Sequence, residues 1–369
     1  MTSALFEPIQ LRGLTLRNRI VISPMCQYSA TEGSATDWHL IHLGGLSLSG
    51  AGILILEATA VAPQGRITPG CLGLWNDDNE DALRRVLKVV RRHSRIPIGI
   101  QLSHAGRKAA AHPPFVGRGP LLENEGAWPV VGPSAVAFGS KWQTPRAMTL
   151  EDMVQTQEQF VQAVQRAQRL GLDLIEVHAA HGYLLSAFLS PLANRREDEY
   201  GGSLDNRMRF PLRVFEAMRQ AWPAEKPLGV RINGTDWHEA GITPHEAAEF
   251  AAELAARRCD FIDVSSGGNV LANVPLGPGY QVPLAQVVRE RCGLPTIAVG
   301  LISEPHQAEA IVSEGRADMV AIARAALNNP HWPWQAAEVL GANVEVPLQY
   351  YRAATRAGVP PPYHVEARS

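Results

Sequence analysis

The sequence predicts an α/β chain folded as a (β/α)8 TIM barrel, on three observations. Short runs rich in β-branched residues recur about eight times, separated by longer helical patterns. The runs are nearly continuous in apolar character, as a parallel sheet covered by helices requires. No Gly-rich dinucleotide turn follows the first run, which ends Ser23-Pro24-Met25-Cys26, so a doubly wound open sheet is disfavoured.

The predicted strands are Arg19–Met25, Gly52–Val61, Pro97–Leu102, Asp173–His178, Leu228–Asn233, Phe261–Ser265, Pro295–Gly300 and Met319–Ala323. Thr149-Leu-Glu-Asp152 is a capping box. It opens a helix with Leu150, Met153, Phe160, Val164 and Ala167 on its inner face and Gly171 at its end. Thr243-Pro244-His245-Glu246 opens another helix, with proline at the first helical position. Ser303-Glu-Pro starts a third, which Gly315 ends. Pro8–Arg19 reads as a hairpin about Arg12-Gly13 that plugs the lower end of the barrel. Arg107–Met148, after the third strand, is too long for a connector and reads as a lid over the upper face. No linker marks a second domain, so residues 1–369 are read as one domain.

Composition narrows the function. Of 369 residues, 46% are hydrophobic and 19% charged, enough for a large core and against global disorder. A formal net charge of −2 argues against a nucleic-acid or anionic-membrane binder working by bulk electrostatics. The four cysteines, Cys26, Cys71, Cys259 and Cys292, form no CxxC pair and fit neither a metal framework nor a disulfide framework. Met1–Pro8 lack a signal-peptide pattern, and Ala51–Pro63 is too short and too interrupted to span a bilayer. A cytoplasmic location is expected.

In a barrel, chemistry sits at the C-terminal ends of the strands. Those ends carry Cys26 and Tyr28, Ala58, Gln101, His178 with His181 and Tyr183, Arg231, Gly300 and Arg324. The strongest local signal is Glu176-Val-His178-Ala-Ala-His181-Gly-Tyr183. It reads as paired donors for a substrate oxygen beside a phenol that acts as proton donor. The phenol keeps its proton at pH 7, because its ordinary pKa is about 10. The competing readings are a metal site, with Asp236 and His238 as further ligands, and a pair of core histidines. Arg231, inside an apolar strand, must meet an anion, a polarised ligand or a carboxylate such as Glu57 or Glu176. Gly300 and Arg324 end the last two strands, where barrels often bind phosphate. Cys26 is a buried hydrophobe or, with a histidine as base, a nucleophile. His104 and Arg107 pin the lid.

These residues resemble a known family. Ser23-Pro-Met-Cys26-Gln-Tyr28, Gln101-Leu-Ser-His104-Ala-Gly-Arg107, His178-Ala-Ala-His181-Gly-Tyr183 and Asp318-Met-Val-Ala-Ile-Ala-Arg324 look like the Old Yellow Enzyme family, and the motifs run in its order along nearly the whole chain. Cys26 and the histidine pair resemble its thermophilic-like branch, which includes xenobiotic reductases. The resemblance implies an FMN-dependent ene-reductase. It would oxidise NADPH or NADH and reduce the C=C bond of enones and nitro compounds by hydride transfer from flavin N5. By position, Ser23, Pro24, Met25 and Cys26 would line the flavin, with Cys26 tuning its potential. Ala58 and Gln101 would meet the ring edge, and Arg231 the N1/O2 side. Gly300, Leu301, Ala323 and Arg324 would hold the phosphate, with Ala323 standing where many relatives have glycine. His178 and His181 would bind the substrate oxygen, Tyr183 would protonate the α-carbon, and Tyr28 would line the pocket. The tail, 345–369, resembles a segment at an oligomer interface. That implies a homodimer or homotetramer in which Arg352 lines a neighbour's pocket. The runner-up is a metal-dependent barrel hydrolase using His178 and His181 as ligands.

Overall fold

A computed structural model describes residues 3–117, 119–350, 352 and 363–364. Eight parallel strands close into a barrel in sequence order. They are β1 (Ile20–Ile22), β2 (Ile53–Ala60), β3 (Ile98–Ser103), β4 (Leu174–Ala179), β5 (Leu228–Asn233), β6 (Ile262–Ser265), β7 (Thr296–Ala298) and β8 (Met319–Ile322). β8 pairs with β1 through Val320↔Ile20 and Ile322↔Ile22, which closes the ring and leaves no sheet edge. All eight predicted strands are present.

The interior and the outer layer are separate cores. Leu174, Phe261, Ile297, Met319 and Ala321 fill the barrel interior. Leu11 and Leu16 join that interior cluster from the N-terminal hairpin, Ile9–Leu11 with Leu14–Leu16. The hairpin therefore plugs the lower end, as expected. Between sheet and helices lies the larger core, to which α1 (Leu150–Arg169) contributes Met153, Phe160, Val164 and Ala167.

The helix signals act where the sequence puts them, with one correction. Thr149 and Asp152 form the reciprocal cap of α1, and Thr243 with Glu246 does the same for α2 (Pro244–Ala256). Leu150, expected on the inner face of α1, is exposed at the first residue of the helix. Ser303-Glu-Pro starts a helix as expected: α3 (Pro305–Ser313) begins with the proline, after Glu304 at the N-cap position.

The segment 107–148 is tied to the upper rim. Arg107 donates to the carbonyl of Asn269 at 2.5 Å and to that of Val136 at 3.1 Å. Trp128 donates to the Gln64 carbonyl at 3.0 Å. His104 is buried against Gly65, and its Nδ1 accepts from the Gly106 amide at 3.0 Å. Among the described residues no helix is long and apolar enough to cross a membrane.

Candidate active site

Each strand delivers its polar residue to the same end of the barrel because neighbouring strands are in register there. Ala58 pairs with Gln101, Gln101 with Glu176, His178 with Arg231, and Arg231 with Asp263.

The histidine turn is the most constrained part. After β4 the chain passes through left-handed backbone at His181 (φ 60) and Gly182 (φ 73). A non-glycine residue there is strained and needs support. Asn233 supplies it by accepting the His181 amide at 2.9 Å. Lys108 donates to the His181 carbonyl at 2.7 Å and to that of Gly268 at 3.0 Å. Gly182 is required, because a Cβ there would fall 2.0 Å from the Gly268 oxygen. The turn holds the two imidazoles edge to face, with centroids 5.0 Å apart and Nε2 of His178 3.2 Å from Nδ1 of His181. The Tyr183 ring stands 4.9 Å from that of His178.

Burial sets the protonation. Desolvation, with Arg231 and Lys108 adding, holds both histidines well below their ordinary pKa, so each ring is neutral and carries one N–H. Desolvation pushes the Tyr183 phenol well above its ordinary value, and Cys26, Tyr28 and Cys71 push the same way. The Cys26 thiol is likewise raised by burial, then by Cys71 and Glu57. A protonated thiol is a poor nucleophile, which disfavours the nucleophile reading of Cys26. Burial also lowers the Lys108 ammonium to about 7, with Arg107 contributing. That ammonium lies 4.5 Å from the Phe138 ring and 5.2 Å from the Tyr183 ring.

Arg231 corrects an expectation. Its carboxylate partner is Asp263, with Nε 3.2 Å from Oδ2, and neither Glu57 nor Glu176. Glu57 lies at a register break in β2 and turns to His39 (3.4 Å) and the Gln27 amide (3.0 Å). Glu176 accepts from Gln101 at 2.6 Å. Desolvation and the nearby Asp263 carboxylate push its pKa up, so it keeps its proton.

The polar groups left uncommitted test the rim against FMN. Among the described residues, the Arg231 guanidinium makes no hydrogen bond besides its ion pair, and the exposed Arg324 has no partner. Gly300 (φ 123) and Leu301 (φ 53) end β7 in left-handed backbone beside the end of β8. Ala323 has φ −118, so its backbone conformation does not by itself call for glycine. A guanidinium and an amide near the barrel centre, with glycine backbone and an arginine at the β7/β8 rim, fit a planar heterocycle carrying a phosphate tail.

The sequence reading missed Lys108, Ser265, Asn233 and Gln281. Ser265 and Asn233 end β6 and β5 as polar residues after apolar runs, the same signal that marked His178. Asp236, weighed as a metal ligand, is instead buried and accepts from Ser190 at 2.6 Å and Asn269 at 2.8 Å. Among the described residues no three His, Cys, Asp or Glu side chains are grouped to hold a metal. Arg352 is exposed, and most of the 345–369 tail beyond Tyr350 lies outside the described residues.

A parallel barrel with a nucleotide-ready rim and a neutral imidazole pair defines a class, the flavin-dependent oxidoreductases. The sequence profile of the NADH:flavin oxidoreductase / NADH oxidase family matches residues 4–343, and the chain belongs to that family. FMN is its cofactor and NAD(P)H its reductant. It is 44% identical over 354 residues to an NADPH dehydrogenase of Geobacillus thermodenitrificans (strain NG80-2), covering 95% of this chain and 99% of that one. It is 41% identical to an NADPH dehydrogenase of Bacillus subtilis (strain 168), with the same coverage. Among solved structures, morphinone reductase superposes with a TM-score of 0.77 at 28% identity, covering 93% of this chain and 91% of that one. The old yellow enzyme homologue from Zymomonas mobilis gives 0.77 at 25%, covering 91% and 92%. A 2-naphthoyl-CoA reductase gives 0.83 at 24%; this chain spans 52% of its length, and the likeness is one of fold. The hydrolase reading finds no support in these relatives.

Proposed function

We propose that this oxidoreductase reduces the C=C bond of activated alkenes, such as enones and nitroalkenes. The observation that carries the reading is the neutral imidazole pair set against a fully protonated phenol on one turn. FMN, held at the β7/β8 rim, would supply the hydride chemistry between NAD(P)H and the β-carbon of the alkene.

The protein's own residues do the rest. His178 and His181 hold the carbonyl or nitro oxygen and stabilise the charge that develops there; one such donor is worth about 3 kcal/mol. Tyr183 gives its proton to the α-carbon, a role worth about 10²–10⁴ in rate. Tyr28, 6.0 Å from Phe115 of the lid, walls the pocket. Arg231 and Gln101 orient the ring of the cofactor, Ser23, Pro24, Met25, Cys26 and Ala58 line it, and Gly300, Leu301, Ala323 and Arg324 hold the phosphate. One domain in the cytoplasm, assembled as a homodimer or homotetramer with Arg352 at the neighbour's pocket, completes the proposal.

The test is Tyr183→Phe in rapid-mixing experiments. Reduction by NADPH should keep its rate, while reoxidation by 2-cyclohexenone should slow at least about 100-fold. Equal impairment of both half-reactions would remove Tyr183 from the proton-donor role.

A further inference from the structure

We propose that Ser265 is a positioning residue of the oxygen clamp: its hydroxyl donates to Nε2 of His181 and so selects the tautomer that turns Nδ1–H toward the substrate. The inference rests on the functional reading above, in which both imidazoles donate to one oxygen.

The argument is a count of hydrogens. The Ala180 amide donates to Nδ1 of His178 at 3.2 Å, so the one N–H of His178 is on Nε2. That nitrogen lies 3.2 Å from Nδ1 of His181, and the contact has room for one hydrogen. Without ligand, His178 donates to His181. His181 then carries its own hydrogen on Nε2 and donates to the Ser265 Oγ at 2.6 Å. A substrate oxygen needs a hydrogen from each ring, so the His181 hydrogen must move to Nδ1. Nε2 is then a bare buried acceptor, which is costly without a donor. Among the described residues, Ser265 is the only side chain hydrogen-bonded to that nitrogen.

The serine is free to reverse its role. Gln281 donates its amide to the Val299 carbonyl at 3.1 Å, which fixes Oε1 toward the serines. That oxygen already accepts from Ser266 at 2.6 Å and lies 3.5 Å from Ser265. Ser266 is held in turn by Trp237, whose Nε1–H donates to it at 2.8 Å. The Ser265 hydroxyl can therefore turn toward Gln281 when it accepts from His181, and toward His181 when it donates. The change moves one proton between the two nitrogens of one ring by exchange with solvent, with no change of charge.

The experiment is 15N NMR of histidine-labelled FMN holoenzyme titrated with 4-hydroxybenzaldehyde, whose phenol oxygen the clamp would take. In the wild-type complex His178 should be protonated on Nε2 and His181 on Nδ1. Ser265→Ala should lose the Nδ1 form of His181 and bind the phenol about tenfold more weakly. A wild-type complex with His181 protonated on Nε2 would overturn the proposal, even if the variant failed to fold. So would a folded Ser265→Ala that keeps the tautomer and the affinity. A wild-type holoenzyme that does not bind the phenol at all would instead overturn the clamp reading, and this inference with it.

Discussion

Lys108 shows how one buried charge can organise a site. Its ammonium spans the His181 and Gly268 carbonyls and stands over the Tyr183 ring, so it steadies the turn and favours negative charge on the phenol. Burial lowers its pKa to about 7. The positive charge is present below that pH and is lost as pH rises through it. The histidines, held well below 6.5, and the Tyr183 and Cys26 groups, held above their ordinary values, do not titrate in that window, while Glu176, pushed up to about 8 by burial and Asp263, titrates just above it. The rate of enone reduction should therefore fall as pH rises through about 7, and Lys108→Met should be slower at pH 6 with the bend near 7 removed. A Lys108→Met profile that keeps the bend would assign it to another group. Cys26→Ala should shift the flavin midpoint potential, read by spectroelectrochemistry, and leave turnover measurable. Residue by residue, the sequence marked His178, His181 and Tyr183 because polar side chains interrupt an apolar strand end. It could not mark Asp263 as the partner of Arg231, since that pairing depends on the register between β5 and β6.

At the level of elements, the turn after β4 and the strand interiors carry different constraints. Gly182 is fixed by its φ of 73 and by the Gly268 carbonyl that a Cβ would strike. Gly182→Ala should therefore cost about 2 kcal/mol or more in chemical denaturation and weaken phenol binding beyond that. In β5, a Cβ on Gly229 would come within 2.4 Å of the Phe261 ring, so the small residue of one strand makes room for the large one of the next. Gly229→Val should lower Tm sharply without touching the rim; an unchanged Tm would show that Phe261 can move aside. The elements themselves were legible because period, capping boxes and apolar runs agree. The misplacement, Leu150, falls at the first residue of its helix, where tertiary surroundings rather than period decide exposure.

For the whole molecule, the plugged, closed barrel makes one end a stable base and leaves the other to chemistry. The lid, the histidine turn and the β6 loop are tied together by Arg107 and Lys108, so the upper face behaves as one assembly. The tail was legible only as a resemblance, and most of it lies outside the described residues. The most direct test of the account mixes anaerobic, pre-reduced holoenzyme with 2-cyclohexenone. Flavin absorbance should return in step with one equivalent of cyclohexanone. Absorbance that stays bleached with the enone and returns only with dioxygen would contradict it.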